Sequence, residues 1–83
     1  MPSDKAFITF TEIPQGSYIE PHIHKKPVCN YIVSGCLEIG LGEQQPKLYQ
    51  SHDWFEIQPG ISHSVKCIEN TSMIEIWPNG IDE

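Results

Sequence analysis

Short runs of β-branched and aromatic residues, interrupted every few positions by Gly, Pro or Asn, make up most of this 83-residue chain. Phe7, Ile8, Thr9, Phe10 and Thr11 lie in an extended stretch from Ala6 to Glu12, which Pro14-Gln15-Gly16 ends. Such residues suit pleated backbone, and Pro and Gly punctuate it. Ser17 to His24 reads as a second strand, broken by Lys25-Lys26-Pro27. Val28 to Ser34 is a third, centred on Tyr31-Ile32-Val33. Leu37, Ile39 and Leu41 then alternate with Cys36, Glu38 and Gly40, the period-two pattern of a strand with one buried face. With Ser34-Gly35 between them, these two runs predict a hairpin. Lys47 to Gln50, Trp54 to Ile57, His63 to Ile68 and Met73 to Trp77 complete a set of about eight short strands. No window of about 11 residues keeps apolar positions at i, i+3, i+4 and i+7 without an interrupting Gly or Pro, so no helix is predicted. Regular short strands separated by turns predict an all-β antiparallel sandwich or small barrel.

The length allows one domain, residues 1–83, with a patterned core from about 6 to 78. A chain this short buries only roughly 60–65% of its unfolded surface. Folds of that size often gain stability from a metal or a second subunit. The hydrophobic fraction of 39% is enough for a packed core. Eleven acidic residues against five basic ones give a net charge of −6, which argues against nucleic-acid binding, since phosphate backbones repel such a surface. There is no apolar run near 18 residues, so no membrane span is expected. Met1-Pro2-Ser3-Asp4-Lys5 lacks the pattern of a signal peptide, and cytoplasmic residence is the default expectation. Cys29, Cys36 and Cys67 have neither the even count nor the spacing of a disulfide or zinc-finger framework, and reduced thiols fit that setting.

The candidate chemistry lies in the histidines at 22, 24, 52 and 63. His22 and His24 are one residue apart, and on a strand such positions point to one face. Neutral imidazole is a common ligand for divalent transition metals. His63, following the Pro59-Gly60 turn at the head of a strand, is the candidate third ligand. His52, between Ser51 and Asp53, reads as an exposed loop residue. Glu20 is in phase with His22 and His24, either orienting ligands or solvated. Cys67 is in phase with His63 and Val65 and is expected to face inward, as a packing residue or as a thiol near the metal. Trp54 and Phe55 must face opposite sides, one inward and one toward an interface, and Trp77 is another interface candidate. Tyr18 and Tyr31 are expected to pack with a wet hydroxyl.

These spacings resemble the two motifs of the cupin family. Gly16, His22, His24 and Gly35 match the first, with Pro21 ahead of the first histidine, and Gln58-Pro59-Gly60-Ile61-Ser62-His63 matches the centre of the second. Ile74-Glu75-Ile76-Trp77-Pro78 resembles the last strand of small bacterial cupins, so the likeness runs from about Phe7 to Pro78. It implies a small antiparallel β-barrel, or double-stranded β-helix of jelly-roll type, with a divalent metal (Fe(II), Mn, Zn or Ni) on His22, His24 and His63. The activity it implies is that of a metal-dependent dioxygenase, isomerase or lyase acting on a small polar molecule. The alternative is a non-enzymatic ligand-binding or sensor module, with or without metal. The resemblance also implies a homodimer, for which the strand around Phe7 to Phe10 is the candidate contact. Three positions depart from the family pattern. Val28 stands where the family has a fourth ligand. Cys29, one place on, would turn inward only through a bulge. His52 and Cys67 stand where the second motif has Gly and Asn.

Overall fold

The computed structural model describes residues 6–80. Six strands form one antiparallel system: β1 (Phe7–Ile13), β2 (Tyr18–His22), β3 (Val28–Leu41), β4 (Lys47–Gln50), β5 (Trp54–Ile57) and β6 (His63–Trp77). The described residues contain no helix, and so none long and apolar enough to cross a membrane.

The two long strands organise the fold. β3 and β6 pair along their length, from Cys29↔Ile76 to Leu41↔His63. The first half of β3 also pairs with β5, and the second half of β6 with β1. The other halves pair with β4 and β2. The result is two four-stranded layers, β1-β6-β3-β5 and β2-β6-β3-β4, which share their central strands and enclose the core between them. Ile32 and Leu37 are fully buried, and Val28, Ile39, Phe55, Ile57, Val65, Met73 and Trp77 pack around them. Each fully buried aliphatic contributes about 1.5–3 kcal/mol relative to exposure.

The expected hairpin at Ser34-Gly35 is absent, and so is the break after Ile68. The strands predicted on either side of each site are single continuous strands, which is why six replace eight. On β3 the buried positions run Val28, Asn30, Ile32 and then Leu37, Ile39, a change of parity. The register against β6 slips at Ile32/Ser34, Ser34/Cys36 and Cys36/Leu37. Bulges of this kind shift phase and bend a strand without ending it. Gly35 serves close approach here, with φ of +106°. A Cβ at this position would strike the Asn70 carbonyl oxygen and lie 2.5 Å from Thr71 Oγ1. Thr71 is buried and closes the bend: its Oγ1 accepts from the Cys36 amide at 3.1 Å and donates to the Glu69 carbonyl at 2.8 Å.

Position 52 carries the one non-glycine residue with positive φ among those described, His52 at 74°. This is where the second motif has Gly, so the loop keeps its left-handed backbone despite the larger residue. The His52 amide donates to the Ile32 carbonyl at 2.7 Å, and its ring stacks on Tyr31 at 6.3 Å.

Candidate metal centre

His22 ends β2, His24 follows in the next loop, and His63 begins β6. Cross-strand pairing sets His22 directly opposite His63. The His24 loop is tied to the turn before β6, because the Gly60 amide donates to the His24 carbonyl at 3.0 Å. Two segments distant in sequence are thereby held together. The ring centroids lie 4.8 Å (His22–His24), 4.1 Å (His22–His63) and 4.9 Å (His24–His63) apart. One ring nitrogen from each falls within 4.8 Å of the other two. An ion bound at about 2.0–2.1 Å would require the three rings to turn toward a common point.

Backbone contacts orient two of these rings. His22 Nδ1 lies 2.9 Å from the Glu20 carbonyl oxygen, and His63 Nδ1 lies 3.2 Å from that of Ile61. A carbonyl only accepts, so Nδ1 carries the proton and Nε2 keeps its lone pair, the arrangement metal-ligating histidines use. Burial, the main cause, lowers the pKa of His63, as do neighbouring His22 and His24, while the Ile61 hydrogen bond acts the other way. A neutral imidazole at the buried end of the cluster is the form that binds metal. Three imidazoles suit a borderline divalent ion and leave coordination positions open.

The cluster faces a cavity of about 140 Å³ between the two layers. Val28, Leu37, Ile39, Phe55 and Ile57 form apolar walls. Asn30, Thr11 and Glu75 are its polar lining apart from the histidines, and no Lys or Arg lines it. Asn30 is 2% exposed, and its Nδ2 has no hydrogen-bond partner. An orphaned buried donor costs about 1–3 kcal/mol. The signal for Asn30 was a polar residue in phase with Val28 and Ile32 on an otherwise apolar inward face. Glu75 and Thr11 gave no comparable signal.

Several expectations resolve here. Val28 faces the cavity, so the fourth-ligand place is apolar. Cys29 pairs with Glu56 and Ile76 on the outer face, away from the imidazoles. Its pKa is raised, first by burial and then by Glu56. Cys67 points inward but away from the histidines: Sγ donates to the Glu69 carbonyl at 2.9 Å and lies 3.3 Å from that of Ile13. Glu20 is exposed, and what it offers His22 is its carbonyl. His52 is an exposed loop residue, as expected. Phe55 is buried and Trp54 is 59% exposed. Two expectations fail. Trp77 is 6% exposed and packs edge-on against His24 at 5.2 Å, so it is a wall of the histidine cluster and no interface residue. Tyr18 is 60% exposed instead of packed, because β2 is a short edge strand with little above it.

No protein-family model matches the sequence, and no match was found among curated proteins. Solved structures do match. KdgF from Halomonas sp. superposes with a TM-score of 0.84 at 19% identity, over 94% of this chain and 73% of that one. An RmlC-like cupin with a double-stranded β-helix fold from Methanocaldococcus jannaschii gives 0.82 at 15% identity, over 92% and 72%. Oxalate decarboxylase from Bacillus subtilis gives 0.83 at 17% identity, with 95% of this chain covering 22% of that protein. The chain therefore has the cupin fold, an all-β double-stranded β-helix.

Proposed function

We propose that the protein holds one divalent transition metal on His22, His24 and His63 and takes a small polar molecule into the adjoining cavity as ligand or substrate. The supporting observation is the convergence of three imidazoles, two with Nδ1 engaged by a carbonyl and Nε2 left for an ion. The resemblance to cupins that include oxalate decarboxylase, whose Mn(II) centres are known, agrees with this reading. Bound there, an ion supplies Lewis acidity toward a substrate oxygen. The chain's own part is to exclude water with apolar walls and to offer Glu75 and Asn30 as hydrogen-bonding groups. That combination suits oxygenase, isomerase or lyase chemistry. Val28 at the fourth-ligand place favours a second reading, a binding module that retains its ligand unchanged.

Elemental analysis tests the metal. Protein purified without an affinity tag and loaded with Zn(II), Mn(II), Fe(II) or Ni(II) should retain about one ion per chain after dialysis, and the His22→Ala variant should not. Equal retention by both overturns the reading. We further read the protein as a cytoplasmic homodimer, a setting consistent with three unpaired cysteines.

A further inference from the structure

Across the β1-β6-β3-β5 layer, one inward row runs Thr9, Glu75, Asn30, Phe55, each facing the next by direct cross-strand pairing. Thr9 and Thr11 both donate to Glu75 Oε1, at 3.0 and 3.1 Å. Among the described residues no hydrogen bond reaches Oε2. Asn30 beside it is almost wholly buried with an unpartnered Nδ2. Both line the cavity that the three imidazoles face. Directly opposed side chains on one sheet face have Cβ atoms about 4.5–5.5 Å apart, close enough for one small group to meet both. That group must accept from the amide and donate to the carboxylate, and a hydroxyl does both with a single oxygen.

Charge narrows the choice. A divalent ion on neutral imidazoles leaves that end of the cavity positive and attracts one anionic oxygen. The Glu75 end holds a carboxylate, with no cation lining any part of the cavity. A second negative charge there can accept from Asn30 Nδ2 but is repelled by Glu75 and has no proton to donate to it. Volume sets the scale: about 140 Å³ is close to that of an engineered cavity that binds benzene, so a molecule of about six non-hydrogen atoms fits within it.

We propose that the cavity selects a small hydroxylated monoanion, its carboxylate at the imidazole end and its hydroxyl between Asn30 and Glu75, and rejects a dianion of similar size. This rests on the metal reading above. The test is calorimetric titration of zinc-loaded protein with 3-hydroxypropanoate, malonate and propanoate, with zinc content checked after each run. The expected result is at least tenfold tighter binding of 3-hydroxypropanoate than of malonate. Glu75→Gln should bring the two within threefold. Asn30→Leu should weaken 3-hydroxypropanoate about tenfold and leave propanoate unchanged. Neither residue is a metal ligand, so zinc retention at the wild-type level reports that each variant has folded. The wild-type ratio is a test by itself if a variant does not fold. Malonate binding as tightly as 3-hydroxypropanoate, or a ratio that both folded variants leave unchanged, overturns the proposal. Absence of binding by all three compounds overturns it while leaving the metal reading intact. Failure to take up zinc overturns both.

Discussion

The side chain at position 28 limits how many protein atoms an ion in this cavity meets. Val28 is 2% exposed and lines the same space as the three imidazoles. A carboxylate there would be buried, which costs stability without a partner and is compensated by an ion. Val28→Glu should therefore lower the stability of the metal-free protein by roughly 2–4 kcal/mol, read by urea denaturation. It should raise zinc affinity at least tenfold in a chelator competition. Unchanged affinity would mean that position 28 does not face the ion. Its neighbour shows how strand alternation separates adjacent residues. Cys29 lies on the opposite face, beside Glu56, and burial and that carboxylate both favour its protonated form. A raised pKa means less thiolate at any pH below it, and the thiolate is the reactive species. In protein diluted until light scattering gives the mass of one chain, iodoacetamide should alkylate Cys29 several-fold more slowly than free cysteine at pH 8, with the rate rising at higher pH than for the free amino acid. Glu56→Gln should speed it, as followed by mass spectrometry of the labelled peptide. The histidine triplet was legible in the sequence because H-x-H on a strand and a histidine after Pro-Gly are local patterns. The Glu75–Asn30 pair was not, because its partners are 45 residues apart and only the β3–β6 register joins them.

At the scale of elements, alternation located nearly every strand but misjudged where strands stop. Glycine in an apolar run signals a turn or a close approach, and the local pattern is the same for both. Gly35 is the second kind, packed against the Asn70–Thr71 backbone where β3 bends. The parity change from Ile32 to Leu37 was visible in the residues, but a turn and a bulge each explain it. Long-range pairing with β6 selects the bulge. Gly35→Ala combines a backbone φ of +106° that L-residues avoid with a Cβ that meets Thr71 Cα at 2.6 Å. Left-handed strain alone costs on the order of 1–3 kcal/mol, and here the opposing atoms are backbone that yields little. The variant should lose at least 3 kcal/mol by urea denaturation. A loss below 1 kcal/mol would show that β3 tolerates a different bend. Gly16, also in the family pattern, has nothing within 4 Å of a built Cβ, so substitution there should cost only its backbone preference at φ +90°.

For the whole molecule, the outer face of the β1-β6-β3-β5 layer carries large apolar side chains with no cover among the described residues. Its apolar part is two cross-strand rows, Ile8, Ile76, Cys29, Glu56, and Phe10, Ile74, Tyr31, Trp54, next to the polar row Glu12, Ser72, Ser34. Ile8 is 71% exposed, Phe10 62% and Trp54 59%. Tyr31 packs against Trp54 at 5.1 Å, and Ile74 separates this pair from Phe10 in the same row. Large aromatic and aliphatic side chains at that exposure leave on the order of 500 Å² of apolar surface, at the upper end of what a monomer leaves bare. It approaches the roughly 800 Å² each partner buries in a standard interface. Each copy carries a net charge of −6, so two copies repel except where they meet through uncharged surface, and Glu56 is the one acidic residue in these two rows. A second copy of the chain, packed face to face about a two-fold axis, fits that distribution. The sequence pointed to Phe7–Phe10 for this contact, and Ile8 and Phe10 are exposed there. Trp54 joins them from the far edge of the layer, whereas Trp77 is withdrawn to the histidine cluster. Light scattering at tens of micromolar should give a mass about twice the 9.4 kDa of one chain. Phe10→Asp sets a carboxylate among the exposed apolar side chains of the β1 edge and should return the mass to that of one chain. Because Phe10 touches neither the core nor the cavity lining, zinc retention should be unaffected. A wild-type mass of one chain would mean that this face remains solvated and that the fold is stable without a partner.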